Sequence, residues 1–206
     1  MYKFLKRLED IIFSLMFIMI FAPVFVIIAI VLFFTGIRPV IFTQTRAGLN
    51  GKAFTIYKFC SMTNARDENG NLLPDKLRLT KVGKFIRKSS LDEFPQFFNV
   101  LKGDMSIVGP RPLLMDYLDK YSPKHATRHN TKPGITGLAQ VSGRGDLSWQ
   151  EKLDIDAEYV MKQNFWLDQK IIFLTALQVV VARNSHVESH AKMPDNLNDK
   201  SEENKN

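Results

Sequence analysis

An uncharged stretch near the N-terminus constrains the fold of this chain more than any other feature. Residues 11–37 are 27 consecutive positions without a charged side chain. At about 1.5 Å per residue this stretch forms roughly 40 Å of helix, which exceeds the hydrocarbon core of a bilayer at about 30 Å. It is too long for the core of a signal peptide, and no small-residue cleavage site follows it. The sequence therefore predicts a permanent membrane element over residues 1–38.

Pro23 lies almost at the centre of this stretch. A proline there leaves the carbonyl of Met19 without its helical donor, so a kink is expected. The helix could span the membrane with a kink, or it could be a re-entrant helix that breaks at Pro23 and leaves on the face where it entered. The positive-inside rule favours re-entry, because basic residues flank both ends. These residues are Lys3, Lys6, Arg7, Arg38 and Arg46.

Charge narrows the class of partner. The formal net charge is +7, and the polar tail at 184–206 carries −2, so the rest of the chain carries +9. A net positive charge on residues 1–183 indicates anionic partners such as nucleic acid, an anionic membrane or phosphorylated small molecules. Nucleic acid is not expected, since the basic run at 76–91 lacks interleaved aromatic residues and the chain is tethered to lipid. The single cysteine, Cys60, excludes an internal disulfide.

The remaining pattern predicts a small α+β domain that is mostly helical. Two β-rich runs at about 40–45 and 52–59 flank a Gly-Leu-Asn-Gly turn and indicate a short hairpin. The domain is expected over 39–183, followed by a disordered tail over 184–206. Apolar spacing further predicts helices near 82–86, 94–101, 113–130, 148–163 and 166–182, and a short strand at 105–108.

Two adjacent acids, Asp92 and Glu93, end the basic run. Ser90-x-x-Glu93 matches a capping box, with Ser90 as the N-cap of the next helix. Asp92 as the N-cap fits Pro95 better, because the proline then removes no helical hydrogen bond. Both interpretations place the acids at a helix N-terminus, and a cap alone would account for them.

A catalytic interpretation of the same pair stands beside the cap. Adjacent helical residues point about 100° apart, so one acid can cap while the other faces a site. Arg87 and Lys88 lie one turn earlier, and positive neighbours are expected to keep a carboxylate ionised. An ionised Asp92 can attack phosphorus or bind Mg²⁺.

Two further segments carry groups suited to phosphate. In Gly-Pro-Arg-Pro, Arg111 lies between two prolines, so its guanidinium is presented on stiff backbone. A salt bridge across a turn explains this arginine equally well. The glycine-punctuated segment that ends at Arg144 could also approach an anion, but by itself it is better explained as a connecting loop.

Taken together, the segments "KVGKFIRKSSLDEFPQFFNVLKGDMSIVGPRP" and "RHNTKPGITGLAQVSGR" resemble the bacterial sugar transferases, the small monotopic phosphoglycosyl transferases. The resemblance runs from about residue 3 to residue 182. It implies transfer of a sugar 1-phosphate from a UDP-sugar to polyprenyl (undecaprenyl) phosphate, with Mg²⁺ as cofactor and UMP as product. It also implies membrane phospholipid as a partner, the cytoplasmic face of the bacterial inner membrane as the location, and the start of glycan assembly as the role.

The resemblance also implies roles for individual residues. Asp92 matches the nucleophile that forms a phosphosugar-aspartate intermediate and contacts the metal, and Glu93 matches the second acid of the pair. The family's anchor is a re-entrant helix broken at a Ser-Pro pair, which favours re-entry at Pro23. Basic positions expected around the phosphates are Lys58, Arg87, Arg111 and Arg144.

Four positions depart from the family pattern. Ala22 replaces the serine before Pro23, and Cys60 stands where a basic residue is common. Lys132 replaces an arginine, and Ser142 replaces an asparagine. None of them touches the acid pair, so the departures bear on sugar preference and nucleotide affinity. The competing hypotheses are a non-catalytic basic module that binds anionic membranes and a glycosyltransferase that moves the sugar alone and releases UDP.

Overall fold

The computed structural model describes residues 1–143 and 147–181. Four short strands and eight helices form within these residues, joined by short 3₁₀ turns. The strands are β1 (Ile41–Ala47), β2 (Ala53–Phe59), β3 (Ser106–Val108) and β4 (Gly134–Thr136). The helices are α1 (Tyr2–Phe34), α2 (Asp75–Arg78), α3 (Lys81–Lys88), α4 (Gln96–Lys102), α5 (Pro123–Ala126), α6 (Leu138–Ser142), α7 (Trp149–Lys162) and α8 (Phe165–Val181).

The first helix, α1, confirms the prediction of a long apolar N-terminal element. Within the described residues it is the one helix whose length and composition would allow it to cross a membrane. The helix continues through Pro23 without interruption. Its re-entrant topology therefore stays a prediction.

Polar contacts fix the first turns of α1 to the rest of the domain. Arg7 donates to the carbonyl oxygens of Val100 at 2.6 Å and Leu101 at 2.8 Å, at the C-terminal end of α4. Asp10 is buried and accepts from the backbone N–H of Ile107 at 2.8 Å. These bonds tie the start of α1 to the C-terminal end of α4 and to β3.

A second polar contact joins α1 to α8 over a long sequence separation. Asp168 is buried and accepts from the hydroxyl of Tyr2 at 2.7 Å and from the ammonium of Lys6 at 2.6 Å. The hydroxyl of Tyr159, on α7, donates to the other oxygen of Asp168 at 2.7 Å. One buried carboxylate thus holds three helices together.

Apolar contacts fix the rest of α1 to the same domain. The ring of Phe17 stacks on Phe97 with centroids 3.8 Å apart. Near the end of α1, Leu32 is fully buried in a cluster with Phe59 of β2 and Ile86 of α3. Both ends of α1 therefore pack on one domain, while much of its remaining surface is exposed and apolar.

The strands form two small sheets. β1 and β2 pair antiparallel, with Phe42 opposite Lys58 and Arg46 opposite Phe54, which confirms the predicted hairpin. β3 confirms the predicted strand at 105–108 and pairs in parallel with β4. The sequence interpretation treated the β4 segment as a connecting loop. The architecture is thus mostly helical with a short antiparallel hairpin and a long apolar N-terminal helix.

Two expectations about local structure were wrong. The region 113–130 is not one helix but α5 with 3₁₀ turns at Met115–Lys120 and Thr127–Asn130, because Pro123 starts a new helical turn. Ser90 caps no helix. It adopts a left-handed backbone conformation, with φ of 57°, and its side chain makes no capping bond.

Candidate active site

A cavity of 680 Å³ opens between the hairpin, the end of α3 and the segment around α7. Its lining combines cationic, acidic and aromatic side chains. Those used below are Gln44, Arg46, Lys58, Cys60, Ser61, Arg87, Asp92, Glu93, Arg111, Arg128 and Asp156.

A tight turn delivers both acids to this cavity. Helix α3 ends at Lys88, and the left-handed Ser90 reverses the chain into the 3₁₀ turn Leu91–Glu93 that precedes α4. The backbone N–H of Glu93 donates to the carbonyl of Ser90 at 3.2 Å and closes the turn. The acids therefore lie before α4 rather than within its first turn, and the capping-box prediction was wrong.

Glu93 lies between two cations. One of its oxygens, Oε1, accepts from the ammonium of Lys58 at 2.6 Å and from the guanidinium of Arg111 at 3.1 Å. Burial opposes the charged form of Glu93, but Arg111 and Lys58 outweigh it and lower its pKa to about 2. Glu93 is therefore an anion at every physiological pH and holds both cations at the cavity wall.

Asp92 is in a different situation although it is the next residue. Within the described residues it has no hydrogen-bond or ion-pair partner, and its side chain faces the cavity. Burial and the charge of Glu93 raise its pKa to about 6, against the opposing influence of Lys58, Arg87 and Arg111. The expectation that basic neighbours keep Asp92 strongly ionised was too simple, because burial and the adjacent acid dominate. The carboxylate is still mostly charged at neutral pH.

Arg87 reaches the cavity from α3 and is held by a neutral partner. Its Nε donates to the hydroxyl of Ser61 at 2.7 Å. A close approach of α3 to the chain after β2 makes this bond possible, since a Cβ on Gly83 would lie 1.8 Å from the carbonyl oxygen of Ser61. Only glycine allows this packing.

The hairpin contributes a cation that the sequence interpretation used only as a membrane flank. Side chains two apart on a strand share a face, so Gln44 and Arg46 lie on the face of Lys58 through the Phe42–Lys58 pairing. The guanidinium of Arg46 donates to Gln44 at 2.7 Å. Burial and the nearby Arg111 lower the pKa of Arg46. Alternation along β1 could have revealed this residue.

Arg111 is presented on a backbone segment that two other groups hold. The carbonyl of Pro110 accepts from the N–H of Gly134 at 2.9 Å, which ties the segment to β4. The carbonyl of Arg111 accepts from Nη2 of Arg128 at 2.7 Å. Arg128 in turn forms a buried ion pair with Asp156 of α7. The sequence interpretation missed both members of this pair, whose 28-residue separation leaves no local signal.

The structure therefore brings five predicted site residues to one cavity, namely Lys58, Arg87, Asp92, Glu93 and Arg111. Arg144 lies outside the described residues. Of the four departures from the family pattern, Cys60 lines the cavity, and its thiol lies 3.2 Å from the carbonyl of Met62. Lys132 lies near Arg7 and Gly103 and is not among the residues that line the cavity.

No group of three or more His, Cys, Asp or Glu side chains occurs within residues 1–143 and 147–181 that could hold a metal ion by itself. Mg²⁺ is commonly bound by only one or two carboxylates, with water and substrate phosphate completing its shell. Asp92 fits that pattern, because its carboxylate has no hydrogen-bond or ion-pair partner among the described residues, and because burial and the neighbouring Glu93 anion raise its pKa. A divalent cation bound there would give the carboxylate a partner and would stabilise its charged form.

Comparison with known proteins gives a consistent result. The family described as bacterial sugar transferase matches residues 1–182. The uncharacterized sugar transferase EpsL of Bacillus subtilis is 57% identical over 152 residues, which cover 74% of this chain and 75% of EpsL. The UDP-glucose:undecaprenyl-phosphate glucose-1-phosphate transferase of Klebsiella pneumoniae is 43% identical over 191 residues, covering 88% of this chain and 41% of that protein. The undecaprenyl-phosphate galactose phosphotransferase of Salmonella typhimurium is 41% identical over 202 residues, covering 88% of this chain and 41% of that protein. This chain thus spans about two fifths of the length of the last two relatives.

Proposed function

Because this chain belongs to the bacterial sugar transferase family, we propose that it transfers a sugar 1-phosphate from a UDP-sugar to polyprenyl phosphate and releases UMP. The observation that carries the proposal is the position of Asp92. Its carboxylate faces a cavity walled by Lys58, Arg87 and Arg111, and within the described residues it has no partner of its own. A nucleophile for an anionic phosphorus centre needs these surroundings.

The reaction proceeds in two displacements. In the first, a carboxylate oxygen of Asp92 forms a bond to the phosphorus that carries the sugar, and the bond from that phosphorus to the UMP oxygen breaks. In the second, a phosphate oxygen of the polyprenyl acceptor attacks the same phosphorus and the bond to Asp92 breaks. The products are UMP, polyprenyl-diphosphate-sugar and the original carboxylate.

The cations around Asp92 make this attack possible. Two anions repel each other, and fixed positive charge at the cavity wall stabilises the charge that develops on the phosphate oxygens. Lys58 and Arg111 are already held in place by Glu93, so little reorganisation is required when a diphosphate binds. Arg87 and Arg144 are proposed to complete the phosphate contacts.

Asp92 is proposed to be a ligand of Mg²⁺, with substrate oxygens and water as the other ligands. When bound, the ion would neutralise charge on the diphosphate and stabilise the leaving UMP. Glu93 remains an anion beside the site and maintains the positions of the two cations that it contacts.

The packing of α1 supports a location on one face of the membrane. A straight helix of 33 residues is about 50 Å long. Both of its ends pack on the same domain, which favours entry and exit on one side over a crossing that separates the ends. The cytoplasmic face follows from the basic flanks.

The short helix α3 supports contact with phospholipid beside the active site. Phe85 is 65% exposed between the exposed Lys81, Lys84 and Lys88. An aromatic side chain surrounded by lysines suits an anionic lipid surface. Asp92 lies four residues after the end of α3, so this contact would place the catalytic carboxylate near the phosphate of a lipid acceptor.

The identity of the released nucleotide tests the proposal. Purified protein in detergent or nanodiscs is incubated with polyprenyl phosphate, Mg²⁺ and a panel of UDP-sugars. We expect UMP from at least one donor and a covalent phosphosugar adduct in the intact mass spectrum. Asp92→Asn should remove both, while Asp154→Asn, at a surface ion pair away from the cavity, should keep both. Release of UDP, or turnover that survives Asp92→Asn, would contradict the mechanism. Salt-dependent liposome binding without any turnover would favour the non-catalytic module.

A further inference from the structure

The segment that carries Arg111 contains few backbone donors. It lies between Pro110 and Pro112, and proline has no N–H to donate. Only carbonyl oxygens can therefore anchor much of this segment. The carbonyl of Pro110 is bound by Gly134, and the carbonyl of Arg111 is bound by Nη2 of Arg128 at 2.7 Å.

Arg128 is itself held on several sides. Its Nε and Nη2 donate to the same oxygen of Asp156, at 3.1 and 2.7 Å, and its Nη1 donates to the hydroxyl of Tyr121 at 3.3 Å. Arg128 is 3% exposed and Asp156 is 4% exposed. Because Nη2 also reaches Arg111, a single nitrogen connects α7 to the segment that carries the cavity arginine.

Stability alone does not account for this arrangement. Buried ion pairs can often be replaced by apolar side chains of similar size without loss of stability, because removing charges from water costs as much as their attraction returns. The bond from Arg128 to the Arg111 carbonyl is what distinguishes this pair from a plain internal salt bridge. This bond can hold the Arg111 backbone in place, which two apolar side chains could not do.

We propose that Arg128 and Asp156 are a positioning pair that fixes the Arg111 backbone, so that the Arg111 guanidinium stays at 3.1 Å from Glu93 and aimed at the diphosphate of the donor. Asp156 neutralises and orients Arg128, and Arg128 holds the carbonyl. This inference rests on the proposed function only in that Arg111 binds a phosphate. It assigns to the pair a role in nucleotide affinity rather than in bond making.

A double replacement separates positioning from folding. In Arg128→Met/Asp156→Leu both charges leave together, so no uncompensated buried charge remains. UDP is the probe, and its affinity is measured by calorimetry on purified full-length protein with Mg²⁺ and without a lipid acceptor. We expect about tenfold weaker UDP binding with an unfolding midpoint close to that of the wild type. The matched control is Asp154→Asn, which removes another ion pair between α7 and the segment at 124–128 without touching Arg111.

A double-mutant cycle identifies the route of the effect. When Arg111 is already alanine, adding the double replacement should weaken UDP binding by less than about twofold, since the group that the pair positions is gone. A loss as large as that in the wild-type background would overturn the proposal, and so would unchanged UDP affinity in the double variant.

A second variant covers the case in which the double replacement fails to fold. Arg128→Lys keeps the charge beside Asp156 but lacks the planar fork that reaches two acceptors at once. It should also weaken UDP binding, and wild-type affinity in this variant would overturn the proposal. If the wild-type protein itself does not bind UDP, the proposed function fails, a result that is read separately from either comparison of variants.

Discussion

Two carboxylates that line the same cavity have pKa values shifted in opposite directions. Glu93 shares a single oxygen between Lys58 and Arg111, and these two cations lower its pKa to about 2. Asp156 forms an ion pair with Arg128, the one cation paired with it among the described residues, and burial raises its pKa despite that partner. The two pKa shifts run in opposite directions, because two cations contact the Glu93 carboxylate and outweigh its burial, whereas burial outweighs the Arg128 partner of Asp156.

Arg111 is linked to both acids, directly to Glu93 and through Arg128 to Asp156. Its guanidinium contacts Glu93, while its carbonyl is bound by Arg128. The Glu93 side carries excess positive charge and would attract a diphosphate. The Asp156 side is a compensated pair that attracts nothing by charge and acts through geometry. The cations around Glu93 would therefore bind the anion, while Arg128 and Asp156 support Arg111, one of the residues that binds it.

The largest loss of activity is expected when the charge of Glu93 is removed. Glu93→Gln keeps the shape but leaves Lys58 and Arg111 without their shared anion. We expect UMP release to fall about a hundredfold, similar to the loss of a residue that orients a ligand of a catalytic centre. Initial rates of UMP release at saturating UDP-sugar measure it, with Asp154→Asn as the control. Turnover within twofold of the wild type would mean that the two cations need no common acceptor.

A smaller effect is expected where the cation is held by a neutral group. Ser61→Ala removes the acceptor of Arg87 but keeps the charge of the arginine. A hydrogen bond to a charged group contributes about 1.5–3 kcal/mol, so the KM for UDP-sugar should rise about tenfold while kcat changes less. Ser89→Ala is the control, since among the described residues the Ser89 hydroxyl donates only to carbonyls of α3, the helix that it follows. If both variants raise KM equally, the Arg87 bond is not responsible.

The smallest effect is expected on the pH dependence of the free energy of unfolding, in a comparison of Asp154 with Asp156 on α7. Hydrogen bonds from Lys124 and His125 lower the pKa of Asp154, whereas burial raises the pKa of Asp156. Because folding lowers its pKa, Asp154 adds to the free energy of unfolding at pH values above its unfolded pKa of about 3.9, and this contribution is lost as the pH falls. Because folding raises its pKa, the contribution of Asp156 to the free energy of unfolding is complete below about pH 3.9 and is lost as the pH rises.

Unfolding midpoints of Asp154→Asn and Asp156→Asn measure this difference between about pH 3 and pH 6. The advantage of the wild type over Asp154→Asn should grow with pH, and its advantage over Asp156→Asn should shrink. An advantage over Asp156→Asn that grows with pH would show that Arg128 outweighs burial.

Elements with a strong local pattern could be predicted from the sequence. The hairpin follows from β-rich runs around a glycine turn, and α7 and α8 follow from apolar spacing. The pairing of β3 with β4 could not be foreseen. β4 is three residues within a glycine-rich segment, and a Cβ on Gly134 would lie 2.1 Å from the nitrogen of Gly109, a contact between distant parts of the chain. Long-range approach of this kind leaves no periodic signal.

The candidate site shows the same limit. Asp92, Glu93, Arg87 and Arg111 were identified because they lie in one continuous segment with a specific family pattern. The electrostatics of Asp92 were not predictable from its neighbours along the chain, since burial by distant residues raises its pKa. Arg128 and Asp156 were missed because each is ordinary in its local sequence, and their common function appears only when α7 lies beside the Arg111 segment.

The bond between Lys6 and Asp168 also has a consequence for synthesis of the protein. The two residues are separated by 162 positions, and Lys6 leaves the ribosome first. At about 5–20 residues per second, roughly ten to thirty seconds pass before Asp168 exists. During that interval an apolar helix has already emerged without the helices that will bind its first turns. Lipid can cover the helix sooner than its own domain can, so we expect this protein to reach the membrane while translation is still under way.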